Sequence, residues 1–207
     1  VRGRGTAPPG VPKSAADLLR RKDFAAGGVR AQYRGMATTM PVSVRPMTVD
    51  DCDLYRELRL NALADAPRAF GSTYAREAAF TAEQWRERLA ARSTLLAEAD
   101  GKPCGLAAVI PEGPGRSELV SMWVAPDARG RGIGGHLVRA ALELADARGV
   151  PEVRLWVVEG NPAAERLYTR HGFAFTGEVQ PVREGEPTRE YAMLRPAPAT
   201  GTGTEER

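Results

Sequence analysis

The chain has 207 residues, 43% hydrophobic, 6% aromatic and 27% charged, with 29 Lys and Arg against 26 Asp and Glu. That length buries a core and sits near the upper size for one simple domain; two cysteines and two histidines are too few for a disulfide framework or a thiolate zinc site, so no metal is expected. Eight basic residues against two acids fall in residues 1–40, leaving 21 against 24 elsewhere, so the basicity belongs to the N-terminal segment and not to a nucleic-acid surface.

No apolar run reaches the roughly eighteen residues of a membrane span, and the N-terminal segment has charges, prolines and glycines where a signal peptide needs an apolar core. The expectation is a cytoplasmic protein with neither nucleic acid nor membrane as partner. Residues 1–40, rich in Gly, Pro and Arg, read as a flexible basic extension with one short helical pattern at 14–21. Met36 and Met40 are alternative starts, because the pattern of a folded domain begins at Val42. That domain is expected over residues 41–196, with residues 197–207 a disordered tail.

Val42 to Pro46 alternates like a strand, and Thr48 to Asp51 offers caps for a helix with Leu54, Leu58, Leu60 and Leu63 on its apolar stripe. A loop is expected at Ala69 to Thr73. Thr81-Ala82-Glu83-Gln84 fits a capping box opening a helix with Trp85, Leu89 and Ala90 inward. Thr94 to Ala99 and Pro103 to Ile110 flank Asp100-Gly101, a dipeptide suited to a two-residue hairpin, and Glu118 to Ala125 is a further strand. Gly134 to Arg148 reads as an amphipathic helix stopped by Gly149, followed by a strand from Val153 to Val158. Asn161-Pro162 caps a helix that runs to Gly172, and Phe173 to Gly177 with Arg189 to Leu194 forms a closing hairpin with a long tip. The predicted order is β-α-α-β-β-β-α-β-α-β-β.

Gly130, Gly132 and Gly134 follow a strand and precede a helix, so backbone N–H groups and the positive end of the helix dipole face an anion, with a diphosphate the natural ligand. Arg129 and Arg131 add positive charge. A solvated glycine-rich connector is the plain alternative. Gly130 to Gly135 also satisfies the dinucleotide fingerprint, with Glu159 ending the next strand. Against that, Ala125 to Arg129 intervenes after the strand, a hairpin precedes it, and too few residues follow for a doubly wound sheet. No Gly-Lys-Ser/Thr triphosphate loop occurs here.

The run Val124-Ala125-Pro126-Asp127-Ala128-Arg129-Gly130-Arg131-Gly132-Ile133-Gly134 resembles the GCN5-related N-acetyltransferase superfamily, whose signature is Arg/Gln-x-x-Gly-x-Gly/Ala. Asn161-Pro162-Ala163-Ala164-Glu165-Arg166-Leu167-Tyr168 and Gly172-Phe173 look like its later cofactor motif. The resemblance implies an α/β fold with a mixed, mostly antiparallel central sheet flanked by helices. It also implies an acetyl-CoA-dependent transfer to a primary amine of a small molecule or peptide. The pyrophosphate would lie on Arg129, Gly130, Arg131, Gly132, Ile133, Gly134 and Gly135, and the pantetheine arm along the main chain of Met122, Trp123 and Val124. The Val124 N–H would polarise the thioester, Asn161 would touch the cofactor, and Tyr168 would act as general acid towards the departing thiolate.

An attacking amine arrives protonated, so a carboxylate is wanted nearby: Glu118 is the first candidate base and Glu77 the second. The acceptor determinants are expected in Leu63 to Trp85 and in the tip from Glu178 to Thr188, where Glu178, Glu184, Glu186 and Glu190 would favour cationic acceptors. Paired sheet edges offer a homodimer that no particular residue requires. The rival reading is a CoA-binding regulatory module that keeps the fold without turnover.

Overall fold

The computed structural model describes residues 42–196; the extension, its short helical pattern, the alternative starts and the C-terminal tail lie outside the described residues. Among the described residues seven strands form one sheet in the order β1-β2-β3-β4-β5-β7-β6. They are β1 (Val42–Pro46), β2 (Ser93–Ala99), β3 (Lys102–Pro111), β4 (Arg116–Val124), β5 (Glu152–Val158), β6 (Ala174–Pro181) and β7 (Arg189–Pro196). The helices are α1 (Cys52–Asp65), α2 (Tyr74–Ala78), α3 (Ala82–Ala90), α4 (Ile133–Ala147) and α5 (Pro162–Arg170). Only β4 and β5 pair in parallel, as the predicted mostly antiparallel sheet requires.

The first four strands form a meander. Asp100 and Gly101, at φ 52° and 69°, make the tight hairpin between β2 and β3, a turn that needs left-handed backbone at both positions. On one face α4 buries Leu137, Val138, Ala141, Leu142 and Ala145 over β2 and β3. Each fully buried Leu or Val there stabilises the fold by about 1.5–3 kcal/mol. Gly105 lets the layers approach: a Cβ there would lie 2.9 Å from the Trp123 carbonyl and 3.2 Å from a Leu137 methyl.

On the other face, Leu58, Ala62, Leu63 and Phe70 pack on Leu96, Leu106 and Trp123, and Tyr55, Trp85 and Leu89 form an adjoining cluster. The capping box of α3 is present: Gln84 N–H donates to Thr81 Oγ1 (3.2 Å) and Thr81 N–H to Gln84 Oε1 (2.8 Å). One expectation fails here, and one short helix was not foreseen. Ala90 is exposed, because the inward stripe of α3 is completed by Trp85 and Leu89. The segment after Thr73 is helical, with Thr73 Oγ1 accepting the Arg76 N–H at 3.3 Å to start the single turn of α2.

Candidate active site

The register between β4 and β5 is short. Arg116, Ser117 and Glu118 pair with Glu152, Val153 and Arg154, and beyond that point the strands part. Ion pairs fix where they still touch, Arg116 to Glu152 at 2.8 Å and Arg154 to Glu112 at 3.0 Å, with Arg154 also bonded to Glu178 and stacked 4.5 Å from the Trp156 ring centroid. The gap opens into a cleft of about 1370 Å³ lined by both strands, the first turn of α4, and α5.

A bulge shapes the β4 side. Leu106 pairs with Trp123 but Ala108 with Val120, so Ser121 and Met122 together oppose Ala107, and Ser121 takes φ 58°. Ala125 N–H donates to the Cys104 carbonyl at 2.8 Å, which makes Leu106 and Trp123 the next mutually bonded pair and Gly105 and Val124 a non-bonded one. The main chain of Trp123 is therefore committed to β3. Met122 and Val124 turn their N–H groups toward the gap left by β5. Trp123, the third residue expected to offer backbone to a pantetheine arm, anchors the strand instead, donating its indole Nε1 to Asp65 Oδ2 at 2.9 Å.

The glycine turn closes one end. Gly130 and Gly132 sit at φ 76° and 81°, and Gly132 is the cap of α4. A Cβ at either would meet nothing within 4 Å, so left-handed backbone, not crowding, calls for glycine there. At Gly134 the reason is packing, since a Cβ would lie 3.1 Å from a Leu167 methyl of α5. Gly135 and His136 N–H groups already donate to the Gly132 carbonyl, leaving those of Ile133 and Gly134 as open donors at a dipole end with no acidic residue in its first turn. The Ile133 side chain is buried in the core beneath them.

The two arginines of the turn are held differently. The Arg129 guanidinium is held by Asp65 and the Val124 carbonyl (3.0 Å), and its N–H closes the turn onto Pro126, so it braces the loop at the edge of the cleft that it helps to line. Arg131 is exposed and lies outside the cleft lining.

On the opposite wall, Asn161 Oδ1 accepts the Ala164 N–H at 3.1 Å, capping α5 as its sequence suggested. Tyr168, 6% exposed, packs edge-on against Phe173 with centroids 5.9 Å apart. Its hydroxyl has no hydrogen-bond partner among the described residues, and burial pushes the phenol well above its ordinary range, so it stays protonated. Glu118, on the β4 wall, is half-buried; burial and then the Glu112 charge push its carboxyl above the usual range. Glu190, which no sequence pattern singled out for chemistry, also lines the cleft. Burial raises it, against a 2.8 Å hydrogen bond from Gln180.

Glu77 is not a candidate base. It is 0% exposed and bonded by Arg59 through both carboxylate oxygens at 2.9 Å, with Arg88 at 3.0 Å. Burial would raise its pKa, but the Arg59 hydrogen bonds and both guanidinium charges outweigh that and hold it below the carboxylate range. The acids at the β6–β7 tip are likewise mostly engaged: Glu186 by Arg183 at 2.7 Å, Glu178 by Arg154, Glu190 by Gln180. Arg183 also donates to the carbonyls of Pro67 (2.9 Å) and Phe70 (2.7 Å), joining the tip to the α1–α2 loop.

Known proteins share this fold. The family model described as the acetyltransferase (GNAT) family matches residues 59–173, and the chain belongs to that family. A mycothiol acetyltransferase of Clavibacter michiganensis subsp. michiganensis is 34% identical over 132 residues, 64% of this chain and 42% of that protein. The chain spans less than two thirds of the length of the curated relatives it matches. A GNAT-family acetyltransferase of Streptococcus pneumoniae superposes with a TM-score of 0.64 at 23% identity, covering 76% of this chain and all of that one. The PaiA N-acetyltransferase of Thermoplasma acidophilum, solved with coenzyme A, has a TM-score of 0.57 at 17% identity, covering 76% and 99%. Among the described residues no helix is long and apolar enough to cross a membrane, and no cluster of His, Cys, Asp and Glu is suited to a metal.

Proposed function

We propose that this protein is an N-acetyltransferase that takes acetyl-CoA in the cleft between β4 and β5 and delivers the acetyl group to a primary amine by direct attack. The observation that carries this reading is the parting of the two strands after the Glu118–Arg154 pair, which turns unpaired β4 backbone toward a gap ending at the open N–H groups of α4. Strand edge and helix N-terminus together suit a ligand that is an amide-bearing arm at one end and a diphosphate at the other.

Acetyl-CoA supplies an activated acetyl thioester. Ile133 and Gly134 N–H groups hold its pyrophosphate, while the guanidinium of Arg129 keeps the turn in place. The N–H groups of Met122 and Val124 serve the arm and the carbonyl oxygen. At about 3.3 Å per strand residue, Val124 lies about 20 Å along β4 from Glu118, and Met122 about 13 Å or less given the bulge. Met122 is therefore the better donor to negative charge developing on that oxygen, because the attacking nitrogen must also deliver a proton to Glu118 directly or through water.

Glu118, made more basic by burial and the Glu112 charge, takes one proton from the ammonium. Tyr168 donates a hydrogen bond to the departing sulfur. Its raised pKa makes a lasting tyrosinate unfavourable, so any proton it gives to sulfur is replaced by the second proton that the nitrogen loses. A thiol-release assay with acetyl-CoA and a panel of amines tests the reading. Acceptor-dependent release of free CoA supports it; tight acetyl-CoA binding without release from any acceptor contradicts it.

A further inference from the structure

We propose that the acceptor end of the cleft is built for a small amine that also carries a carboxylate, with Arg92 as the residue that receives the carboxylate. This rests on the acetyltransfer reading above and names its substrate class.

Away from the glycine turn, the cleft is lined by the guanidinium groups of Arg59, Arg76, Arg88 and Arg92. Arg59 and Arg88 share the single carboxylate of Glu77. Arg92 makes no ion pair and no side-chain hydrogen bond among the described residues, although it is half-buried and Arg88 and Arg59 add like charge beside it. The Glu77 carboxylate, already shared by Arg59 and Arg88, offsets this only in part, so a half-buried guanidinium with no ion pair of its own gains from an anionic ligand group. Burial and the Arg88 charge already depress its pKa, yet it remains cationic.

Register relates Arg92 to the base. It immediately precedes Ser93, which pairs with Val109, and in β3 the next residue, Ile110, pairs with Glu118. Arg92 and Glu118 thus stand two strand spacings apart, about 10 Å between backbones, with their side chains on the same cleft. A guanidinium reaching across that span toward a carboxylate leaves room for a few atoms between them. An amino acid fits: its carboxylate pairs with Arg92 by a planar two-point contact, and its ammonium faces Glu118. The tip acids do not favour the opposite choice of a polycation, since Glu178, Glu186 and Glu190 already have partners.

The test compares thiol release from acetyl-CoA with each of the twenty amino acids and with the corresponding amino-acid amides, in wild type, Arg92→Ala and Arg92→Lys. Expected is a kcat/KM at least tenfold higher for the best acid than for its amide. Arg92→Ala should raise KM for the acid at least tenfold while leaving KM for the amide and for acetyl-CoA unchanged, and Arg92→Lys should restore part of the difference. Amides turned over as well as acids, or an Arg92→Ala effect equal on both, overturns the carboxylate assignment and leaves the transferase reading standing. Absence of thiol release from every acceptor in wild type, with acetyl-CoA binding intact, overturns both.

Discussion

Arg59 and Glu77 meet through two parallel hydrogen bonds of 2.9 Å beneath the cleft, and the remaining Arg59 nitrogen reaches Ser121 Oγ at 3.4 Å. One buried pair thereby ties α1 and α2 to the bulge of β4, where a non-glycine residue holds φ 58°. The Phe70 ring lies 4.8 Å from the guanidinium, closing the pair from the loop side.

Glu77→Gln leaves two guanidiniums without their shared carboxylate, and removing one partner of a buried pair costs about 3–5 kcal/mol. Urea unfolding at neutral pH should show that loss. The Glu77 carboxyl is held below its ordinary value of 4.5. Its stabilisation is therefore complete above that value and declines as pH falls through the lower folded-state pKa. The wild type should lose this increment in that acid window, and the variant should not.

Gly132→Ala forces a side chain into left-handed backbone at φ 81°, a strain of about 1–2 kcal/mol, and Gly134→Val drives carbons into Leu167, 3.1 Å from the position of a Cβ. Urea unfolding should show that loss for Gly132→Ala, and calorimetric titration with acetyl-CoA should show weaker binding, because the turn carrying the Ile133 and Gly134 N–H groups shifts to relieve the strain. Gly134→Val should weaken binding further and lower the Tm, because it also separates α4 from α5.

Tyr168→Phe removes a hydroxyl that has no partner among the described residues and keeps the ring on Phe173. The Tm should stay close to wild type. Under steady-state conditions kcat should fall about a hundredfold, the lower part of the range for a proton donor, with KM for acetyl-CoA little changed.

Burial and the Glu112 charge raise the Glu118 pKa, so the unprotonated base appears only as pH rises through a value above the ordinary 4.5. The acid limb of kcat/KM should titrate there. Glu118→Gln should abolish that limb and lower the plateau by about 10²–10³. A limb that persists unchanged in the variant would assign it to another group, with Glu190 the neighbouring candidate.

The strands, the hairpin at Asp100-Gly101 and the caps at Thr81 and Asn161 were legible because each is local: an alternation, a dipeptide or a three-residue reach. The glycine turn was legible for the same reason. What sequence could not show depends on where side chains are sent by distant neighbours. That Arg129 is held by Asp65, 64 residues earlier, has no local signature. Glu77 reads as a candidate base until Arg59 and Arg88 close over it. Trp123 loses its backbone to β3 through a register that the Ser121 bulge shifts, and a bulge at a serine leaves no sequence signature. Glu190 enters the cleft only because β7 inserts between β5 and β6.

The most direct test is a crystal structure with acetyl-CoA bound. The predicted result has the pyrophosphate on the N–H groups of Ile133 and Gly134, the arm running between β4 and β5, and the thioester oxygen within about 3.2 Å of the Met122 N–H. A cofactor whose pyrophosphate lies away from the Gly130 to Gly135 turn, or whose thioester lies outside the gap beyond Glu118 and Arg154, would contradict it.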